Sequence, residues 1–230
     1  MRLFVDCRVL QYNAPAIKTR ERRARAVSLQ LQRLEVGLWP MNCYLLRCLE
    51  TGKVAIVDPG ADAETMLAAV GEAPVCCVLL THAHPDHVGA LEAVRQATGV
   101  PVGLHPADAE FFGIEADFPL LDSAEVEIGS GRVTVVHVPG HTPGSVCLRL
   151  DGQVVVGDTV FPGGPGHTAS PEALAQSLVS LGQTVFTWPD DTELYPGHGA
   201  HTTVGAERAA YESFLAADHP PDLCGDVTWR

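Results

Sequence analysis

The sequence predicts an α/β domain in which β-sheets pack together with helices on the outside. Short apolar, strand-like runs alternate with segments of helix formers in both halves of the chain. Those runs end at Gly, Pro and Asp clusters, and ligand-type side chains follow several of them directly. With 230 residues, 46% hydrophobic and 19% charged, the chain can bury a sizeable core, and one large domain suits it at least as well as two small ones.

Residues 1–28 read as a basic N-terminal extension and 29–230 as the folded domain. Residues 1–33 hold eight basic side chains against Asp6 and Glu21, a charge of +6, which leaves −19 on the rest of a chain whose net charge is −13. A body that acidic repels phosphate backbones, so no nucleic-acid partner is expected. The Arg cluster is expected to be a solvated tail; Ser28 is the only serine before residue 100, too few for an organellar presequence. No continuous apolar core marks a secretory signal, and no run approaches the ~18 apolar residues of a membrane helix. The seven cysteines are odd in number and form no Cys-x-x-Cys pair. They are expected to be buried thiols in a reducing cytoplasm, with adjacent Cys76 and Cys77 on opposite faces of a strand.

Within the domain, Leu29 to Val36 alternates apolar and polar residues, the period of a half-buried strand. Asn42 to Cys48 and Lys53 to Val57 predict a hairpin around Glu50-Thr51-Gly52. Ala61 to Val70 predicts a helix, Val75 to Leu80 a buried strand, and His87 to Thr98 a helix closed by Gly99. Val133 to Val138 is a further strand, followed by a hairpin of Ser145 to Leu150 and Val154 to Val156 around Asp151-Gly152. A glycine-rich loop, Gly157 to Gly166, precedes a helix from about Pro171 to Leu181. Glu193 to Tyr195 is a short strand and Val204 to Leu215 a last helix.

The decisive pattern is Thr81-His82-Ala83-His84-Pro85-Asp86-His87, directly after the apolar run Val75 to Leu80. Four ligand-type side chains fall at a strand's carboxyl end, where open α/β sheets place their sites. A loop can turn His82 and His84 toward one cation while Asp86 and His87 face another. Two cations ~3.5–4 Å apart can share and activate a water, which is the two-metal logic of hydrolysis. His141, Asp158 and His198 each follow an apolar segment and adjoin Gly or Pro, a setting that aims a side chain from a tight loop. Five histidines and two carboxylates leave open positions for water, a catalytic arrangement and not a closed structural one. His105, His137, His201 and His219 read as ordinary surface or core histidines. Asn42 and Tyr44 read as strand packing, Cys76 and Cys77 as core, and Trp229 as packing on the domain or at a dimer contact. No Gly-x-Ser-x-Gly elbow suggests a serine hydrolase.

This motif resembles the metallo-β-lactamase superfamily. The segments Asn42-Cys43-Tyr44-Leu45, Val57-Asp58-Pro59-Gly60, Gly140-His141-Thr142-Pro143-Gly144, Gly157-Asp158-Thr159-Val160-Phe161 and Tyr195-Pro196-Gly197-His198-Gly199 look like its glyoxalase II-type branch, the hydroxyacylglutathione hydrolases and their relatives. The likeness runs from about Leu31 to Leu215. It implies an αββα sandwich of two mixed β-sheets flanked by helices, with the metals at one edge. Carried over position by position, it implies that His82, His84 and His141 hold one metal, that Asp86, His87 and His198 hold the other, and that Asp158 bridges. Asp58 then steadies the ligand loop from outside, and Asp86 also orients the nucleophile. β-Lactamases of the common two-zinc type carry a cysteine where Asp158 stands, which argues against antibiotic hydrolysis.

The resemblance implies hydrolysis of a thioester or related ester of a small molecule, with two divalent metals, zinc foremost and iron or manganese as alternatives. The positions that hold glutathione in the family's thioesterases correspond by spacing to His167 and Ala169, which leaves the thiol carrier open. Persulfide dioxygenases, with one iron and an arginine where His167 stands, are the competing resemblance, and lactonases a third. No membrane partner is expected, and the chain is expected to be a cytoplasmic monomer or homodimer.

Overall fold

The computed structural model describes residues 9–10, 29–38 and 40–229. The first half runs β1 (Val9–Leu10), β2 (Leu29–Val36), β3 (Met41–Cys48), β4 (Val54–Val57), α1 (Ala63–Val70), β5 (Val75–Leu79), α2 (Pro85–Val88), α3 (Leu91–Thr98), β6 (Val102–Leu104), α4 (Pro106–Phe112) and β7 (Phe118–Pro119). The second runs β8 (Glu125–Ile128), β9 (Gly131–His137), β10 (Val146–Arg149), β11 (Gln153–Gly157), β12 (Val160–Phe161), β13 (Gly164–Pro165), α5 (Pro171–Gln183), β14 (Glu193–Pro196), β15 (Thr202–Thr203) and α6 (Val204–Leu215). Strands β2 to β7 form a six-stranded sheet in sequence order; the second sheet is ordered β1-β8-β9-β10-β11-β14-β15. Both sheets mix parallel and antiparallel pairs.

Period-two alternation sorts the side chains into layers. In β3, Tyr44, Leu46 and Cys48 join Val135, Val146, Leu148 and Val155 of the second sheet in one buried cluster between the sheets. Met41, Cys43 and Leu45 of the same strand face the other way, onto Met66, Val70, Leu91 and Val94 of α1 and α3. Cys147, Val154 and Val156 likewise turn outward onto Leu174, Leu181, Val204 and Tyr211 of α5 and α6. Apolar side chains on both faces of the central strands are what a four-layer α/β/β/α sandwich requires. Full burial of each Leu, Ile or Val contributes about 1.5–3 kcal/mol.

Several expectations are corrected. The helix expected from His87 to Thr98 is two helices, because Gly89 packs against the Gly60 carbonyl so tightly that no Cβ would fit, and Ala90 N–H donates to Pro59 O at 2.9 Å. Asp86 and His87 therefore stand on a one-turn helix that begins at Pro85. The glycine-rich stretch Gly157 to Gly166 contains a ribbon, β12 paired with β13. Cys76 and Cys77 do not face opposite sides. The β4–β5 register slips between Val54 and Ala55, and both thiols enter the intersheet cluster with their sulfurs 3.9 Å apart. Cys43, Cys48 and Cys147 are buried as expected, but Cys224 is exposed, and Cys7 lies outside the described residues. Trp229 packs on the domain against Phe186 and Tyr211. Of the basic extension, Val9 and Leu10 pair with Val126 and Glu125; the remainder lies outside the described residues. No helix among the described residues is long and apolar enough to cross a membrane.

Candidate metal centre

Strand direction brings the ligand-type side chains to one edge of the sandwich. β9 and β11 both run antiparallel to β10, and β14 runs parallel to β11, so the carboxyl ends of β9, β11 and β14 share one edge. His141, Asp158 and His198 follow those three ends. The loop after β5 joins them, because Val146 N–H donates to Thr81 O at 2.8 Å across the sheets. All seven residues singled out from the sequence converge there.

They form two trios and a link. His141 Nε2 lies 3.2 Å from His82 Nε2 and 2.9 Å from His84 Nδ1. In the second trio, His198 Nε2 lies 3.0 Å from Asp86 Oδ2, and His87 completes the group. Asp158 stands between them, with Oδ1 3.4 Å from His87 Nε2 and Oδ2 3.9 Å from His141 Nε2 and 3.6 Å from His198 Nε2.

The outer bonds fix which nitrogen of each ring points inward. Thr81 Oγ1 donates to Asp58 Oδ2 at 2.6 Å, so it can only accept from His82 Nδ1 at 3.1 Å. His87 Nδ1 donates to Asp58 Oδ2 at 3.0 Å, His141 Nδ1 to the His167 carbonyl at 2.8 Å, and His198 Nδ1 to the Pro40 carbonyl at 3.0 Å. Each of these four rings commits Nδ1–H to an outer acceptor and turns its Nε2 toward the cluster, which is how imidazoles are prepared for a cation. Asp58, His82 and His87 also lie within ligand distance of one another. The nitrogens facing Asp58 are the protonated ones, so that group orients the rings and is not a third cation site. Asp58 does this from a left-handed backbone (φ 50°), accepting also from Thr81 N–H at 2.7 Å.

The arrangement fits a metal. Acceptor lone pairs held about 3 Å apart repel unless a cation or proton lies between them. His87 Nε2 and Asp158 Oδ1 are buried with no hydrogen-bond partner, the condition of ligand atoms awaiting an ion. The two trios differ in charge. Burial, then neighbouring imidazoles, drives His82 well below the usual histidine range, and burial holds His141 down at about 4. Burial also opposes protonation of His87, but Asp158 and Asp58 outweigh it and hold that ring at about 10. The bond to Asp86 raises His198, and the same bond holds Asp86 at about 2.

The other residues fall outside the cluster. His105 stacks on His137, His201 on Tyr195 and His219 on Phe214. His167 contributes its carbonyl to His141, while its exposed ring pairs with Asp226 at 3.0 Å. Asn42 and Tyr44 do more than pack a strand. Asn42 Nδ2 and Tyr44 Oη both donate to Pro196 O, at 2.8 and 2.5 Å, and so hold the His198 loop from the opposite sheet. Thr81 and Asp108 were not legible as site residues; Asp108 follows Pro106 by two positions and reads as an ordinary acid in a helix's first turn.

A four-layer sandwich carries at its strand ends a cluster of histidines and carboxylates that could hold metal. The profile of the metallo-beta-lactamase superfamily matches residues 36–218, and the chain belongs to that superfamily. A hydroxyacylglutathione hydrolase of Anaeromyxobacter dehalogenans is 39% identical over 64% of this chain, and the match spans 57% of that protein's length. Among solved structures, the BLEG-1 B3 metallo-beta-lactamase superposes with a TM-score of 0.71 at 29% identity, covering 78% of this chain and 97% of that one. TTHA1623 in a di-iron-bound form superposes with a TM-score of 0.63 at 34% identity, covering 77% and 96%.

Proposed function

We propose that this chain is a metal-dependent hydrolase that cleaves a thioester or related ester of a small molecule, using two divalent cations. The observation that carries this reading is Asp158, one carboxylate within 3.4–3.9 Å of ring nitrogens from both trios. In this assignment His82, His84 and His141 hold one cation, Asp86, His87 and His198 the other, and Asp158 serves both. A bound pair of this kind lowers the pKa of water toward ~7 and polarises the substrate carbonyl.

The chain's own groups supply the rest. Asp86 is ionised at neutral pH and half exposed, so it can accept a hydrogen bond from the attacking water and orient it toward the carbonyl carbon. The C–S or C–O bond then breaks; water contributes a hydroxyl to the acyl group and a proton to the departing thiol or alcohol. His167 stands beside the His141 loop with an exposed ring and is assigned a substrate contact. The likeness to a hydroxyacylglutathione hydrolase supports a thioester. Nitrogen and carboxylate donors suit zinc, iron and manganese alike; zinc is the proposed occupant, and the di-iron relative makes iron the comparison to run.

The test loads purified protein separately with zinc, iron and manganese. Metal content is measured, then rates on lactoylglutathione, on a chromogenic cephalosporin, and as oxygen uptake with glutathione persulfide. The expected result is about two metals per chain and thioester hydrolysis abolished by a chelator. Oxygen uptake dependent on one iron, preferential cephalosporin turnover, or no metal uptake would overturn the proposal.

A further inference from the structure

Asp108, on α4, is fully buried, and its carboxylate accepts three hydrogen bonds from two loops. Oδ2 takes the N–H of Ala83 at 3.1 Å and the hydroxyl of Thr142 at 2.9 Å; Oδ1 takes the N–H of Gly144 at 2.6 Å. Ala83 lies between His82 and His84, and Thr142 follows His141. The first loop leaves the six-stranded sheet and the second leaves the seven-stranded sheet.

We propose that Asp108 is a positioning residue that sets the spacing of His82 and His84 against His141, and so the affinity and geometry of the trihistidine metal subsite alone. This rests on the metalloenzyme reading above. A carboxylate suits the place because it is acceptor-only and can take donors on both oxygens; an apolar side chain would leave two backbone N–H groups buried and unpaired. The second loop is shaped to reach it. A Cβ on Gly144 would lie 2.7 Å from Asp108 Oδ1 and 2.8 Å from its Cβ, so only glycine brings that N–H so close. Thr142 is itself braced, its N–H donating to Ser145 Oγ at 3.0 Å and its hydroxyl lying 2.7 Å from the same oxygen. Since the Thr142 hydroxyl proton goes to Asp108, Ser145 must donate to Thr142. The hydroxyl protons thus run in one direction, from Ser145 through Thr142 to Asp108, while the Thr142 N–H returns to Ser145 Oγ. No comparable bond from Asp108 reaches Asp86, His87 or His198.

The test measures stepwise cobalt(II) affinities by chelator competition, together with the cobalt visible spectrum and metal-free Tm. The variants are Asp108→Ala, Asp108→Asn, Thr142→Val and Thr142→Ser, and His84→Ala and His198→Ala identify which constant belongs to which subsite. Asp108→Ala is expected to weaken the trihistidine subsite about 10–100-fold and to shift its cobalt bands, while the second constant holds. Asp108→Asn should fall between, since one end of its amide faces a donor. Thr142→Val should weaken the same constant less, and Thr142→Ser should restore it. If Asp108→Ala does not fold, the Thr142 pair carries the test. A lower metal-free Tm with both affinities unchanged, or equal loss at both subsites, would overturn the proposal. Wild-type protein that binds no metal would overturn this and the metalloenzyme reading together; two bound metals without thioester hydrolysis would sink only the substrate assignment.

Discussion

The trihistidine group and the Asp86–His87–His198 group share Asp158 and lie side by side, yet they treat protons in opposite ways. His82 and His141 are buried among other imidazoles, and burial keeps them neutral well into acid. His87 is equally buried but touches two carboxylates, and His198 is bonded to Asp86, so without metal this group keeps its protons. The lesson is that desolvation alone does not decide a buried histidine's charge; the nearest carboxylate does. In the proposed two-cation assignment, the first group is ready for a cation, while the second must release protons to receive one.

The largest expected effect tests what the two groups share. Asp158→Ala should remove metal from both subsites and cost hydrolysis at least about 100-fold, beyond the usual loss for an outer partner. Asp58→Ala should cost less, because Asp58 only orients rings, His87 directly and His82 through the Thr81 hydroxyl. Metal stoichiometry on the two purified variants decides it, and equal losses would break the bridging assignment.

Next comes the pH dependence of loading. Asp158 and Asp58 hold His87 at about 10 in the metal-free chain and Asp86 raises His198, so the affinity of their subsite should climb at least about tenfold per pH unit toward that value. The trihistidine subsite should hold steady until pH falls toward 4, where His141 takes a proton. Chelator competition between pH 5 and 9 should therefore show one constant flat and one sloped.

A smaller effect concerns stability without metal. His87 is raised from 6.5, so its contribution is full below that value and is lost as pH rises toward 10. His141 is depressed from 6.5, so its contribution is present above that value and is lost as pH falls toward 4. Each slope is about 1.4 kcal/mol per pH unit within its window. The chelated protein's Tm should peak near pH 6.5, and the peak should flatten once metal is restored. The smallest expected effect is Thr81→Val, which frees the His82 proton and should weaken the trihistidine constant about tenfold, at the low end for an outer partner.

The cluster was legible in the sequence because its residues sit in short motifs at strand ends, where backbone geometry leaves few directions to point. The β2 edge and α6 were legible for a similar reason, since alternation and helix periodicity are local signals. The break between α2 and α3 was hidden because it depends on a carbonyl 29 residues earlier in the chain. The doubled Cys76–Cys77 face was hidden because a register slip belongs to a strand pair and not to one strand. Asp108 was hidden because its partners stand 25, 34 and 36 residues away and nothing nearby marks it.

The spread of donors along the chain also orders events during synthesis. The trihistidine set is complete once residue 141 has been made, whereas the second set waits for His198, in the loop after β14. His141 is nevertheless aimed only once the later His167 carbonyl accepts from its Nδ1, and Asp158 lies between those two residues in the chain. The trihistidine group therefore takes its form only when the chain as far as His167 is in place, and the second group when His198 is.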